Sequence, residues 1–270
     1  MGRIVRAFWL AVTVSRRAFG NLLFIAFVLF LAGLFFFGGG ESVSEDVALV
    51  LTPVGNIVEQ VSEQLLLDRF YGRVTQEETL LNDIIDVVDH AAEDENIKVL
   101  VLDLRRMGAA GVSKLHDIGA VLNRFRKTGK RIIAAGDYFN QQQYYLAAHA
   151  NSVYLHPMGQ VWLSGYGAYR MYFKTALEKL MVQFHVFRVG TYKSALEPFF
   201  RNDMSEAAKE ANSAWLNVLW DAYKTDVAGL RNIEADRIDV HINNIGTLLA
   251  DEGGDAALLA LNDGLVDALK

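Results

Sequence analysis

The stretch VLVLDLRRMGAAGVSKLHDIGAVLNRFRKTGKRIIAA, Val99–Ala135, decides the fold. It opens on a short apolar run, Val99–Leu104, that reads as a strand and empties into the glycine-bearing loop Met107–Gly111. From Ser113 to Lys127, Leu115, Ile118, Val121, Leu122 and Phe125 recur at helical spacing and share one side. Gly129 supplies a stop, and the apolar Arg131–Ala135 begins the next strand. Strand, helix, strand in 37 residues is one crossover unit of a parallel sheet.

Working outward, the same alternation continues. Val47–Leu51 reads as a strand halted by Pro53 and Gly55. Glu77–Ala92 reads as a helix with Leu80, Leu81, Ile84, Ile85, Val87 and Val88 on its apolar face. On its other side Asp83, Asp86 and Asp89 suit a solvated surface. A helix at Gln141–His149, a strand at Val153–Leu155 capped by Pro157, a short helix at Thr175–Met181 and a strand at Phe184–Val189 follow. Beyond Pro198 the pattern is largely helical: Ser205–Leu230 with Ser205 and Glu206 at its start, then Glu234–Ile238, Gly246–Leu249 and Ala256–Asn262. Gly264–Leu269 fits an edge strand. The expected class is α/β with a largely parallel sheet.

The 270 residues are 52% hydrophobic and 21% charged, which excludes a disordered or low-complexity chain. There is no Cys, so disulfide frameworks, thiolate metal sites and cysteine nucleophiles are excluded. The net charge of −6 hides an asymmetry: residues 1–40 hold Arg3, Arg6, Arg16 and Arg17 and no acid, leaving −10 on the other 230. An acidic body argues against a nucleic-acid partner.

The basic start precedes AFGNLLFIAFVLFLAGLFFFGGG, residues 18–40, which carries no charge. Its dense part, Leu22–Phe37, covers about 24 Å as a helix, and its flanks extend it toward the roughly 30 Å of a hydrocarbon core. The run exceeds the h-region of a secretory signal, and no small-x-small cleavage site follows Phe35–Phe37, so an anchor is favoured over a cleaved signal. The positive-inside rule puts residues 1–17 in the cytoplasm and the body, residues 46–270, on the other side.

Several tempting motifs fail. Ser164–Arg170, SGYGAYR, has Arg170 where a dinucleotide loop needs its third glycine. His90, His116, His149, His156, His185 and His241 show no metal-ligand spacing and read as surface or helix-end residues. No G-x-S-x-G elbow occurs. The segment HVFRVGTYKSALEPFFR, 185–201, is different, because Lys193 stands among Tyr192, Ala195, Leu196, Pro198, Phe199 and Phe200. A lysine there either snorkels to the surface or is partly buried. An amine taken out of water favours its neutral form, which can serve as a general base toward a serine.

FRVGTYKSALEPFFRNDMS, 187–205, resembles the general-base segment of the signal peptide peptidase A (protease IV) family, long two-copy type. The basic start and anchor, VLVLDLRRMGAAG at 99–111, TGKRIIAAGDYFNQQQYYLAAHANSVYLHPMG at 128–159 and LNDGLVDALK at 261–270 are similar to the amino-terminal half of that family. The resemblance implies a Clp-protease/crotonase fold and a Ser–Lys dyad endopeptidase in the inner membrane, its main domain periplasmic or extracytoplasmic. It also implies a homotetramer that degrades cleaved signal peptides, and no cofactor or metal. Lys193 would be the base, and a second domain copy would supply the serine. This chain departs from the catalytic copy: Gln141 stands at the nucleophile position, and the oxyanion loop is Met107–Gly111, MGAAG, without a proline–glycine pair. Ser194 adjoins Lys193 but points away from it on an extended segment. Two rival expectations remain, a non-catalytic anchored scaffold or binding module of this fold and a crotonase-type acyl-CoA enzyme.

Overall fold

The sequence of elements after the amino-terminal helix begins with β1 (Val47–Leu51), β2 (Asn56–Val58), β3 (Glu78–Leu80) and α2 (Leu81–Glu93). Then come β4 (Ile97–Leu102), α3 (Val112–Lys127), β5 (Arg131–Asn140), α4 (Gln141–Ala147) and β6 (Ser152–Trp162). A largely helical portion follows: α5 (Lys174–Lys179), α6 (Glu197–Phe200), α7 (Glu206–Arg231), α8 (Ala235–Asn243), α9 (Ile245–Asp251) and α10 (Ala256–Asn262). The two-residue β7 (Ala268–Leu269) closes it. This is a computed structural model, and it describes residues 2–37, 46–62 and 77–270. The chain divides into two compact units, Met1–Glu45 and Asp46–Lys270.

In the larger unit, β1, β4, β5, β6 and β7 lie in that order in one sheet, and every neighbouring pair is parallel. The expected α/β class is therefore the observed one. The core forms because the stripes read from sequence converge. Leu115, Ile118, Val121, Leu122 and Phe125 of α3 are buried beside Leu100 and Leu102 of β4 and Ile132 and Ala134 of β5 in one apolar cluster. Leu81, Ile84, Val88 and Ala91 of α2 join it. Gly129 adopts φ +87° just after α3, as a helix stop demands.

Three local expectations are corrected. Residues 78–80 are a strand rather than the first turn of a helix, because they pair with Asn56–Val58 while the Thr79 hydroxyl donates to the Val54 carbonyl at 2.8 Å. The second correction concerns Pro157, which does not end β6. The strand bulges around it, so that the step from Leu155 to Gln160 faces only Gly136 to Tyr138 of β5, and a bulge is where a strand tolerates a missing N–H. Finally, Phe184–Val189 is not a strand: it has no partner strand among the described residues.

Buried imidazoles fill two helix ends. His149, just past α4, is buried, and its Nδ1–H donates to the Tyr145 carbonyl at 2.9 Å. Burial pushes the imidazole below its ordinary pKa, so the neutral ring is the resident form. His241, in the last turn of α8, is buried against Asp263, which also pairs with Arg237. Among the described residues no group of three or more His, Asp or Glu could hold a metal ion.

The smaller unit contains α1 (Gly2–Phe37), a helix about 54 Å long at 1.5 Å per residue. Its Val12–Gly33 segment has mean hydropathy 1.6, is 22 residues long and has no buried position, which suffices by length and composition to cross a bilayer. The helix thus includes most of the basic tail expected at 1–17. Of the anchor expected at 18–40, residues 38–40 lie outside the described residues, as do Glu41 and Glu45 beyond it.

Gly119 is the tightest point between α3 and the helix end at His149, since a Cβ there would lie 2.6 Å from His149 Nε2. Gly119→Ala is expected to destabilise the fold by about 1–3 kcal/mol through overpacking. Urea unfolding checks this, and an unchanged midpoint would mean that the ring moves aside at no cost.

Candidate active site

The position expected to correspond to a nucleophile opens α4. Asn140 caps this helix: its side chain accepts from the amides of Gln142 (3.0 Å) and Gln143 (2.9 Å), while Gln143 Oε1 accepts from the Asn140 amide (3.0 Å). This reciprocal capping box orients three consecutive glutamines in three directions. Gln141, only 8% exposed, accepts on Oε1 from the amides of Ser164 (3.0 Å) and Gly165 (2.7 Å). Gln142 accepts from the Ala110 amide at 2.9 Å. Gln143 donates through Nε2 to the Leu104 and Met107 carbonyls at 2.9 and 3.1 Å.

The glycine loop MGAAG faces this helix start across a cavity of about 380 Å³ lined in part by Gly108, Ala109, Gln141, Trp162 and Tyr166. Three of its amides are already committed. Gly108 donates to the Gly55 carbonyl (2.7 Å), Ala109 to Asn56 Oδ1 (2.9 Å) and Ala110 to Gln142. An oxyanion hole needs amides free to meet an incoming oxygen, and these three already have acceptors. The SGYGAYR segment beyond β6 is the loop that Gln141 holds, and the next helix begins only at Lys174.

Lys193 lies elsewhere. It is exposed at a turn whose Gly190 adopts φ +111°, a conformation that favours glycine, and its amide donates to the Gly190 carbonyl at 3.4 Å. The turn borders a cavity of about 510 Å³ that shares no lining residue with the glutamine site. Its wall includes Phe187, Val189 and Tyr192, of which Phe187 is 96% and Val189 84% exposed. Of the two expectations for Lys193, the exposed one holds within this chain. Ser194 is half-buried, and its carbonyl accepts from the Glu197 amide at 3.0 Å as the chain turns into α6.

Sequence reasoning missed Glu197. Its side chain is 1% exposed, yet it carries a charge between Ser205 and Arg188. Burial alone would raise its pKa, but the Ser205 hydroxyl and amide and the charges of Arg201 and Arg188 outweigh that and hold it below the ordinary carboxylate range. No periodicity marks such a residue. The nearest signal was Ser205 itself, the helix cap eight positions on.

Residues 124–270 match the family model described as Peptidase family S49. The chain belongs to peptidase family S49. Its S49 region therefore begins within α3 and takes in both the glutamine cluster and the Lys193 turn. The chain is 40% identical over 270 residues to Protease 4 of Salmonella typhi, covering 97% of this chain and 44% of that protein. It is 35% identical over 274 residues to Protease 4 of Haemophilus influenzae (strain Rd), covering 98% and 45%. It thus spans less than half the length of these two relatives. Among solved structures it is similar to an enoyl-CoA hydratase/isomerase family protein of Silicibacter pomeroyi, at 15% identity over 83% of this chain and 96% of that one, with a TM-score of 0.32.

Gln141→Ser is expected to lose two hydrogen bonds to the 164–165 loop and about 1–2 kcal/mol of stability. It gains no reactive serine, because Lys193, the proposed base, borders a separate cavity that shares no lining residue with the one at position 141. Treatment with a fluorophosphonate followed by peptide mass spectrometry tests this, and a modified residue 141 would contradict it.

Proposed function

We propose that this S49 chain is the base-supplying half of a membrane-anchored serine endopeptidase, with Lys193 as general base and the nucleophilic serine on a second domain copy. The observation that carries the reading is the separation of parts. Lys193 stands on an exposed apolar turn with its own cavity, while the nucleophile position is filled by a glutamine bound to the loop beside it.

In this reading the second copy covers the turn, and the exposed side chains of Phe187, Val189 and Tyr192 become the walls of a dry site. Exclusion of water favours the neutral amine. Lys193 Nζ takes the proton from the serine hydroxyl as the serine oxygen bonds to the scissile carbonyl carbon. The tetrahedral oxyanion is met by backbone amides of the second copy, since those of Gly108 to Ala110 are spent. The intermediate collapses as the Lys193 ammonium returns its proton to the leaving amine, which leaves an acyl-enzyme. Lys193 then deprotonates a water, the water displaces the serine oxygen, and the serine regains its proton.

The substrates proposed are signal peptides left in the membrane after release from exported proteins, cut within their apolar segments. Val12–Gly33 of α1 would hold the enzyme in the inner membrane, and the preceding arginines favour a cytoplasmic amino terminus. Assembly would be as a homotetramer. The scaffold reading draws support from the bound Gln141, and the same experiment separates it.

In the full-length protein, Lys193→Ala is expected to lower hydrolysis of an apolar peptide by at least about 10³-fold and to abolish acyl-enzyme formation. Sedimentation should show unchanged assembly. Normal turnover by that variant would refute Lys193 as base, and inactivity of the wild-type full-length protein toward every apolar peptide would favour the scaffold.

A further inference from the structure

The Lys193 turn has little regular structure to hold it. From Met181 to Ser194 there is neither helix nor paired strand among the described residues, and most of the segment's apolar side chains face solvent. A general base must be held to within a fraction of an ångström of its working position. Something other than secondary structure has to place it.

We infer that Glu197 and Arg188 form a positioning relay that fixes Lys193 against the start of α7; the inference rests on the reading of Lys193 as the base. The relay begins at a rigid point. Ser205 caps the 26-residue α7, its hydroxyl oxygen accepting from the Ala208 amide at 3.2 Å. The same hydroxyl donates to Glu197 Oε1 at 2.5 Å, and the Ser205 amide donates to Oε2 at 3.1 Å. Both carboxylate oxygens are thereby fixed to the first turn of a long helix.

Glu197 Oε1 also lies 3.6 Å from Arg188 Nη1, a charge contact rather than a hydrogen bond. That same Nη1 donates to the Lys193 carbonyl at 2.8 Å. One guanidinium nitrogen therefore links a buried carboxylate to the backbone of the base. The guanidinium is further held 5.5 Å from the Phe200 ring centroid, within cation–π range. On the other side of the turn the Tyr192 hydroxyl donates to Glu210 Oε2 of α7 at 3.3 Å. Arg188 and Lys193 line the same cavity, so a shift in one is felt where substrate would lie.

Glu197 is buried away from serine and substrate in this scheme, and Arg188 acts on the Lys193 backbone rather than on the reacting atoms, so both are positioning residues. Their removal should slow chemistry while leaving apolar peptide binding in place. The test uses the full-length protein, an apolar fluorogenic peptide, and the variants Lys193→Ala, Arg188→Ala, Arg188→Lys, Glu197→Gln and the double variant Arg188→Ala/Glu197→Gln. Arg188 is partly exposed and Glu197 keeps its two Ser205 hydrogen bonds without it, so Arg188 replacements disturb folding less than Glu197→Gln. Urea unfolding of each variant separates lost stability from lost kcat.

Arg188→Ala and Glu197→Gln are each expected to lower kcat by about 10- to 100-fold with KM changed by less than about 2-fold. Arg188→Lys, which keeps a donor and a charge, should recover most of the loss. The double variant should be no slower than the worse single one, as for residues acting through one path. Wild-type kcat in Arg188→Ala beside an inactive Lys193→Ala would overturn the relay alone. A rise in KM without a fall in kcat, or strictly additive losses, would also overturn it. Full activity of Lys193→Ala would instead overturn the reading of Lys193 on which the relay rests.

Discussion

One oxygen, Oε1 of Gln141, accepts from two successive backbone amides, and the architecture around it depends on that arrangement. Residues on a helix are separated by about 100°, so three consecutive side chains at its start reach three different directions. Here all three are glutamines, and they tie the loops at 104–107, at 110 and at 164–165 to a single capped helix start. The start is also held from behind. Tyr223 of α7 donates to the Gln141 carbonyl at 3.0 Å, and Tyr144 donates to the Leu265 carbonyl at 2.7 Å. Burial raises both phenols well above their ordinary range, which keeps them protonated donors at any physiological pH.

That rigidity contrasts with the Lys193 turn. The glutamine cluster is anchored by parallel strands, a capping box and buried hydroxyls. The turn is anchored by its own Arg188 guanidinium and Tyr192 phenol, which reach the Glu197 carboxylate bound at the start of α7 and Glu210 within α7. The well-built pocket has a glutamine at the expected nucleophile position, and Lys193, the proposed base, stands at an exposed turn beside a separate cavity.

Much of the fold could be read from residues because its forces are local and repetitive. The α3 stripe and the strand it precedes follow from spacing alone, and Ala256–Asn262 was placed at its observed limits. Errors came where a distant partner decides the conformation. Glu78–Leu80 has a good helical pattern but finds Asn56–Val58 instead, and Phe184–Val189 has good strand residues but no partner strand among the described residues. Pro157 reads as a stop only if the facing strand is regular, and the bulge opposite Gly136–Tyr138 makes it harmless. At the site, family resemblance pointed to Lys193 and Gln141, but not to what surrounds them. Glu197 escaped notice because a carboxylate before Pro198 reads as a surface turn, and only the return of the chain to Ser205 buries it.

The uncovered side chains between Tyr169 and Leu196 have a practical side. Tyr169, Met171, Met181, Phe187 and Val189 are each at least three-quarters exposed, and they lie in the unit that α1 does not belong to. Exposed apolar side chains in this number adhere to whatever they meet, including other molecules of the same protein. Trimming away the amino-terminal helix would therefore not yield a well-behaved soluble domain. Purification of residues 46–270 would still call for detergent or a covering partner, and light scattering in plain buffer would report clumping rather than a single species.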